Sequence, residues 1–490
     1  MLFTSITFTI FLLIVFVFYS FVFNRNYKVQ NLFLLLGSYV FYGWWDWRFV
    51  FLLFFISVSN YLIALLISGK DHKQSRKLFF ITGLIINIGT LFIFKYFNFF
   101  YDGFIHLISF FGFNANLHTL QIILPIGISF YIFLSLSYII DVYQHKFNAV
   151  RNLPDVLLTL SFFPIILAGP IQRPINLLPQ IQARRMFDYY QATDGLRQIL
   201  WGVFMKIVIA DRCAVTVNTI FINPSLHAGS TLILGIFLFT VQIYADFAGY
   251  SNIAIGLGKL FGFKIMQNFA YPYFARDIRE FWKRWNISLT TWFRDYVFLP
   301  IAYSVSRNIK TDKFFLIKTE IVIYAVGLAV TWVLTGLWHG ANYTFIIWGA
   351  LQGLFLLIYH INTKSRKGLL RSLHINNNNG MLMLIETFAT LIVIMFSWIF
   401  FRAENLGQAM LYIRGIFSMS SLTIPVINPL TTLLIVIFFL VEWLGKDQEY
   451  PIASLWKKWY KPFRWSMYYL IIFTIIYFLE KEQQFIYFQF

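Results

Sequence analysis

The sequence predicts an all-α polytopic membrane protein, and three observations carry that expectation. Of 490 residues, 59% are hydrophobic and 12% are charged, about half the charged share of an ordinary soluble domain. Mean hydropathy is +0.67. Apolar runs recur along the whole chain, many of them close to the roughly 20 residues that a helix needs to cross the hydrocarbon. So little charge cannot cover a globular surface, which excludes a soluble enzyme, a disordered chain, a collagen and a coiled coil.

The elements follow in chain order. Residues 5–23 carry no charge and lack the basic start and small-residue cleavage site of a signal peptide. Arg25 and Lys28 come next, so the positive-inside rule puts the N-terminus outside and the 24–30 loop in the cytoplasm. Lys70, Lys73, Arg76 and Lys77 form a second basic cluster; with both clusters cytoplasmic, 31–45 and 49–68 are two passes. Further spans are expected at 79–100, 122–140, 230–258, 321–338, 341–360, 381–401, 424–444 and 465–479. The runs 103–112, 156–172, 198–210 and 213–222 are short or interrupted. Such pieces suit tilted, re-entrant or bundle-buried segments, because irregular backbone at membrane depth survives only in a protein-lined cavity. They suggest a funnel or internal chamber. Residues 270–320 hold much of the central charge, and 361–380 reads as an exposed loop. That loop divides a core of residues 1–360, with the chamber, from transmembrane helices in 381–490. No internal repeat supports an inverted-repeat transporter.

The 39 Lys and Arg against 21 Asp and Glu give a net charge of +18. The basic residues sit in short runs between apolar segments, as in a membrane protein and unlike a nucleic-acid binder. Cys213 is the single cysteine, so no internal disulfide or cysteine-based metal site forms. No histidine set has metal-ligand spacing, and no metal is expected. Phosphate-binding, zinc-protease and serine-hydrolase motifs are absent.

Polar groups inside apolar segments are the functional candidates, because burying them costs several kcal/mol. His339 stands in Thr335-Gly336-Leu337-Trp338-His339-Gly340, within a stretch, 321–363, that has no Asp, Glu, Lys or Arg. Gly336 and Gly340 remove bulk beside the imidazole, and Thr335, one turn away, is placed to orient a ring nitrogen. A packed histidine bonded to a neighbouring helix is the competing reading. Glu280 through Tyr296 concentrates Trp285, Arg284, Asn286, Arg294 and Asp295. It reads either as an anion-binding segment or as an amphipathic helix at the membrane interface. Asp246 interrupts an uncharged run that continues to Tyr250; Arg284 or Arg294 is its expected partner, in a structural or a catalytic pair. Gly349-x-x-x-Gly353 reports close helix packing.

Taken in order, Asp246–Ser251, Phe281–Tyr296 and Trp338-His339-Gly340 resemble the signature of the membrane-bound O-acyltransferase (MBOAT) family, more narrowly its bacterial alginate O-acetylase branch. Leu167–Ile171 and Trp398–Glu404 fit that branch too, so the resemblance covers nearly the whole chain. It implies a bundle of about 11–13 transmembrane helices, with short re-entrant and interfacial helices around a central funnel. It also implies an enzyme that moves an acyl group to a hydroxyl, with His339 and Asn286 catalytic. Asp246, Tyr250, Arg284, Trp285, Arg294, Asp295, Trp338 and Thr335 would support or bind substrate. Two departures stand out. Bacterial relatives commonly carry His where this chain has Asn286; an amide orients a carbonyl but takes no proton at pH 7, leaving His339 the base of the pair. Leu299–Tyr303 replaces the Gly-Gly-Asn-Arg turn that often follows Arg-Asp-Tyr.

The resemblance further implies an acyl thioester donor, acetyl-CoA or another thioester, with no bound cofactor. The acceptor would be an extracytoplasmic polysaccharide, reached directly or through a periplasmic SGNH-type acetyltransferase partner, from the bacterial inner membrane. D-alanyl transfer toward teichoic acid is the alternative within the family. A transporter or a non-catalytic scaffold is the alternative outside it.

Overall fold

The computed structural model describes residues 1–70, 72–111, 122–314, 317–418, 423–455, 459–479 and 485–486. The expected run 103–112 therefore ends outside the described residues. The chain forms two compact units: Met1–Trp201 with Tyr250–Met266, and Gly202–Gly249 with Gln267–Phe490.

In the first unit, helices α1 (Ile6–Val17), α2 (Tyr27–Gly43), α3 (Arg48–Ser68), α4 (Lys73–Leu91), α5 (Phe97–Phe110) and α6 (Ile128–Tyr143) come first. Their starts are legible chemically: Ser5 Oγ accepts the Phe8 N–H, and Asn26 Oδ1 accepts the Lys28 N–H. The short 31–45 run falls largely within helix α2. The interrupted 156–172 run is two pieces, α7 (Leu153–Ser161) and α8 (Phe163–Ile166), broken at extended Phe162 and restarted around Pro164. Then follow α9 (Pro174–Gln182) and α10 (Tyr189–Phe204), whose last residues enter the second unit. Buried polar groups here are held by partners. Arg185 donates to the Tyr19 hydroxyl and the Ile181 carbonyl, both at 2.7 Å, and to the Asn31 side chain. Asn31 in turn donates to Asp155 at 2.9 Å.

The second unit continues with α11 (Asp211–Ile222) and α12 (Gly229–Leu260), whose last third belongs to the first unit. The polar stretch 270–320 is two short helices, α13 (Ile278–Arg284) and α14 (Ile287–Phe293), a π-helical turn Arg294–Phe298, and α15 (Leu299–Asn308). A small antiparallel pair, β1 (Lys313–Phe314) and β2 (Ile317–Lys318), precedes the long helices. These are α16 (Thr319–His339), α17 (Tyr343–Ser372) and α18 (Gly380–Arg402). After them come α19 (Leu406–Ile416), α20 (Pro429–Leu444) and α21 (Lys461–Phe478). The stretch 361–380 is exposed, but α17 runs through it as far as Ser372, so only its end is loop.

Six described helical segments are long and apolar enough to cross a membrane, among them Gly229–Leu260, Thr319–His339 and Tyr343–Ser372. Three shorter apolar helices add to them. The protein is an all-α, multi-pass membrane protein. The hairpin α16–α17 positions the site. A Cβ on Gly349 would stand 2.2 Å from the Trp332 carbonyl oxygen, so only glycine lets the two backbones meet there.

Candidate active site

The site is built on a corner of the chain. Asp277 caps α13 by accepting the Glu280 N–H. The helix stops at Trp285, whose backbone is extended, and Asn286 follows at φ 42°, in the left-handed region that asparagine tolerates better than most residues. The neighbouring segment ties the corner down. Ala270 N–H donates to the Arg284 carbonyl and Ile287 N–H to the Asn268 carbonyl, both at 2.9 Å. Ser288 Oγ donates to Asn268 Oδ1 at 2.8 Å. Trp285 is buried and stacked on Phe281, with ring centroids 5.5 Å apart.

Facing this corner is a cavity of about 500 Å³. One wall runs from Trp282 and Asn286 to Arg294 and Phe298; the other is a face of α16 carrying Tyr324, Leu328, Thr331, Thr335 and His339. From Tyr324 to His339 that face is roughly 22 Å long at 1.5 Å per residue.

His339 is 5% exposed and lines this cavity. Aromatic rings fix its orientation edge-on: Trp338 at 4.9 Å, Trp348 at 5.0 Å and Phe401 at 5.0 Å. The ring stands on the last residue of α16. Asn286 is 2% exposed, lines the same cavity, and its Nδ2 has no hydrogen-bond partner among the described residues. Such a buried donor costs about 1–3 kcal/mol and calls for a role.

Trp285, Arg294 and Thr335 also line the cavity. Thr335 does so differently from expectation: its hydroxyl donates to the Thr331 carbonyl at 2.8 Å, which commits its proton to the helix backbone. The expected openings beside Gly336 and Gly340 are filled, since a Cβ at either would lie 2.2 Å from an atom of Phe345. The two glycines admit α17, not a substrate. Arg294 pairs with Asp295 at 2.8 Å, and Arg284 pairs with Glu280 one turn back. Neither arginine partners Asp246. Lys206 does, at 2.9 Å, and also holds Asp211 at 2.8 Å, while Asp246 Oδ2 accepts the Ile486 N–H at 2.7 Å. Tyr250 stacks on Phe3 with ring centroids 4.7 Å apart. Asp246, Tyr250, Trp338 and Arg284 do not line the cavity. The Glu280–Tyr296 segment is not a single interfacial helix either, because Trp282, Trp285 and Trp292 are all buried. No group of three or more His, Cys, Asp and Glu side chains placed to hold a metal occurs among the described residues.

Sequence reasoning passed over Lys206, a lone charge in the 198–210 run, and Thr331, one turn before Thr335. Both carried a signal: an isolated polar group in an apolar segment, and a four-residue spacing toward His339.

The chain is 36% identical over 402 residues to the probable alginate O-acetylase of Pseudomonas aeruginosa, covering 82% of this chain and 72% of that one. The chain belongs to the membrane-bound O-acyltransferase family, in its alginate O-acetylase branch. It is an O-acyltransferase. A probable alginate O-acetylase of Azotobacter vinelandii is 37% identical, over 82% of this chain and 75% of its own. The peptidoglycan O-acetyltransferase of Helicobacter pylori is 30% identical, over 82% and 76%. The teichoic acid D-alanyltransferase of Bacillus subtilis is 28% identical over 49% of this chain and 60% of its own. No family model matches the sequence.

Proposed function

We propose that this O-acyltransferase moves an acetyl group from a thioester donor to a hydroxyl of an extracytoplasmic polysaccharide. The observation that carries the reading is His339, held by aromatic rings on the wall of a cavity that Asn286 also lines. His339 takes the proton of the acceptor hydroxyl as its oxygen attacks the thioester carbonyl. Asn286 Nδ2 donates to the oxyanion that forms. The C–S bond then breaks, and the leaving thiolate takes the proton back from the imidazolium. A positioned base of this kind contributes about 10²–10⁴-fold in rate.

Charge supports the direction. Lys310, Lys313 and Lys318 precede α16, and Lys364, Arg366, Lys367 and Arg371 lie at the far end of α17. By the positive-inside rule this end is cytoplasmic, so α16 runs outward and its last residue, His339, lies toward the outer face. A donor from the cytoplasm and an acceptor from outside fit that polarity, in the inner membrane of a bacterium. The acceptor is the polysaccharide itself or an SGNH-type periplasmic acetyltransferase that passes the group on. The D-alanyl alternative has less support, because the teichoic acid relative matches only half of the chain.

Two experiments test the reading. Mass spectrometry of surface glycans from cells with and without the protein is expected to show loss of ester-linked acetyl groups; unchanged acetylation contradicts it. Purified protein is expected to consume acetyl-CoA and not a D-alanyl carrier protein; the reverse favours the teichoic acid reading.

A further inference from the structure

Thr331 is a second buried polar group on the cavity wall. The residue is 7% exposed, it lines the cavity, and its Oγ1 has no hydrogen-bond partner among the described residues. It lies eight residues before His339 on α16, roughly 12 Å along the helix axis. That is too far for it to touch the carbonyl under attack. Its surroundings are apolar: Leu328, Trp332, Phe298 and Leu356 line the same cavity. Trp332 packs against Trp282 with ring centroids 4.4 Å apart. Thr335, the next hydroxyl toward His339, has its proton on the helix backbone.

A sugar carries a hydroxyl on nearly every carbon and needs partners at every level of such a wall. A methylene-rich arm with isolated polar groups needs only one here. The other end of the cavity is cationic. Arg279 lines it and lies 6.0 Å from the Tyr359 ring, while Tyr324 lies 4.5 Å from the His360 ring beside it. Along α16 the order is thus a cation, an unpaired hydroxyl in an apolar stretch, then the imidazole.

The geometry points to Thr331 as the residue that binds the arm of the thioester donor, with its hydroxyl bonded to an amide group of that arm. This rests on the acyl-transfer reading above. Donors of the cysteamine type, in which an amide follows the sulfur by two carbons, are the class it selects. Thr331 sets donor affinity and register; it leaves the proton transfer to His339.

The test uses the full-length protein in nanodiscs with acetyl-CoA. Thr331→Val keeps the shape and removes the hydroxyl; it is expected to raise KM for the donor about three- to tenfold, the range of one lost hydrogen bond, with kcat within about twofold. Thr331→Ser is expected to restore KM. A structural role for Thr331 would lower kcat and thermal stability and leave KM alone, which overturns the proposal. A check on the unmodified protein needs no variant. S-acetyl-N-acetylcysteamine is expected to bind more tightly than the thioester in which a methylene replaces the amide nitrogen, and equal KM values overturn the proposal. If wild-type protein turns over no acetyl thioester, the acyl-transfer reading itself has failed. Turnover with an unchanged KM in Thr331→Val removes only this inference.

Discussion

Two buried polar regions of the second unit have opposite designs. Around Lys206, opposite charges meet: Lys206 bridges Asp211 and Asp246, and Asp246 also accepts from Ile486. Along the cavity, Asn286 Nδ2 and Thr331 Oγ1 are buried with no partner in the described protein. A buried ion cluster, in which each charge has an opposite one beside it, holds helices in register. Polar groups left open on a cavity wall cost stability unless something else completes them. Asp246 belongs to one of the stretches that carry the family resemblance, and its charge is met by Lys206 away from the cavity. The acyl transfer proposed above uses the open set.

Substitutions sharpen that contrast. Replacing His339 with Ala removes the proposed base and is expected to lower kcat by about 10²–10⁴-fold, with insertion and melting temperature unchanged, read by thiol release from purified protein. Asn286→Ala removes the proposed oxyanion donor and is expected to lower kcat by about 10²–10³-fold with donor KM little changed. Lys206→Met acts on the closed region. It leaves two buried carboxylates without their cation and is expected to cost about 3–5 kcal/mol, seen as lower yield and melting temperature, with kcat per folded molecule retained. If Lys206→Met instead spared stability and abolished turnover, the division between the regions would break. Thr335→Val has the smallest expected effect, within about threefold in kcat, because its hydroxyl serves only a backbone carbonyl.

Much of this was legible in the residues. Apolar length and the placement of Lys and Arg announce the spans, since hydrocarbon enforces a minimum run and charge is excluded from it. His339 stands out as a histidine in the middle of a stretch without Asp, Glu, Lys or Arg. What the sequence hid is pairing across distance. Asp246 meets Lys206 forty residues earlier, on a stretch that reads as merely apolar. The glycines beside His339 look like open space in the sequence, yet α17 fills it with Phe345. The corner at Trp285 and Asn286 was hidden for the same reason: a left-handed asparagine leaves no periodic trace, and Asn268 and Ala270 are what hold it.

The central claim is that the His339 imidazole performs the proton transfer inside a cavity that binds the donor independently. A single-turnover experiment tests it directly, with radiolabelled acetyl-CoA and purified wild-type and His339→Gln proteins in nanodiscs, donor binding and thiol release being measured on the same samples. The expected result is equal donor binding by both proteins, with thiol released by the wild type alone. Thiol release by His339→Gln at the wild-type rate would contradict the claim.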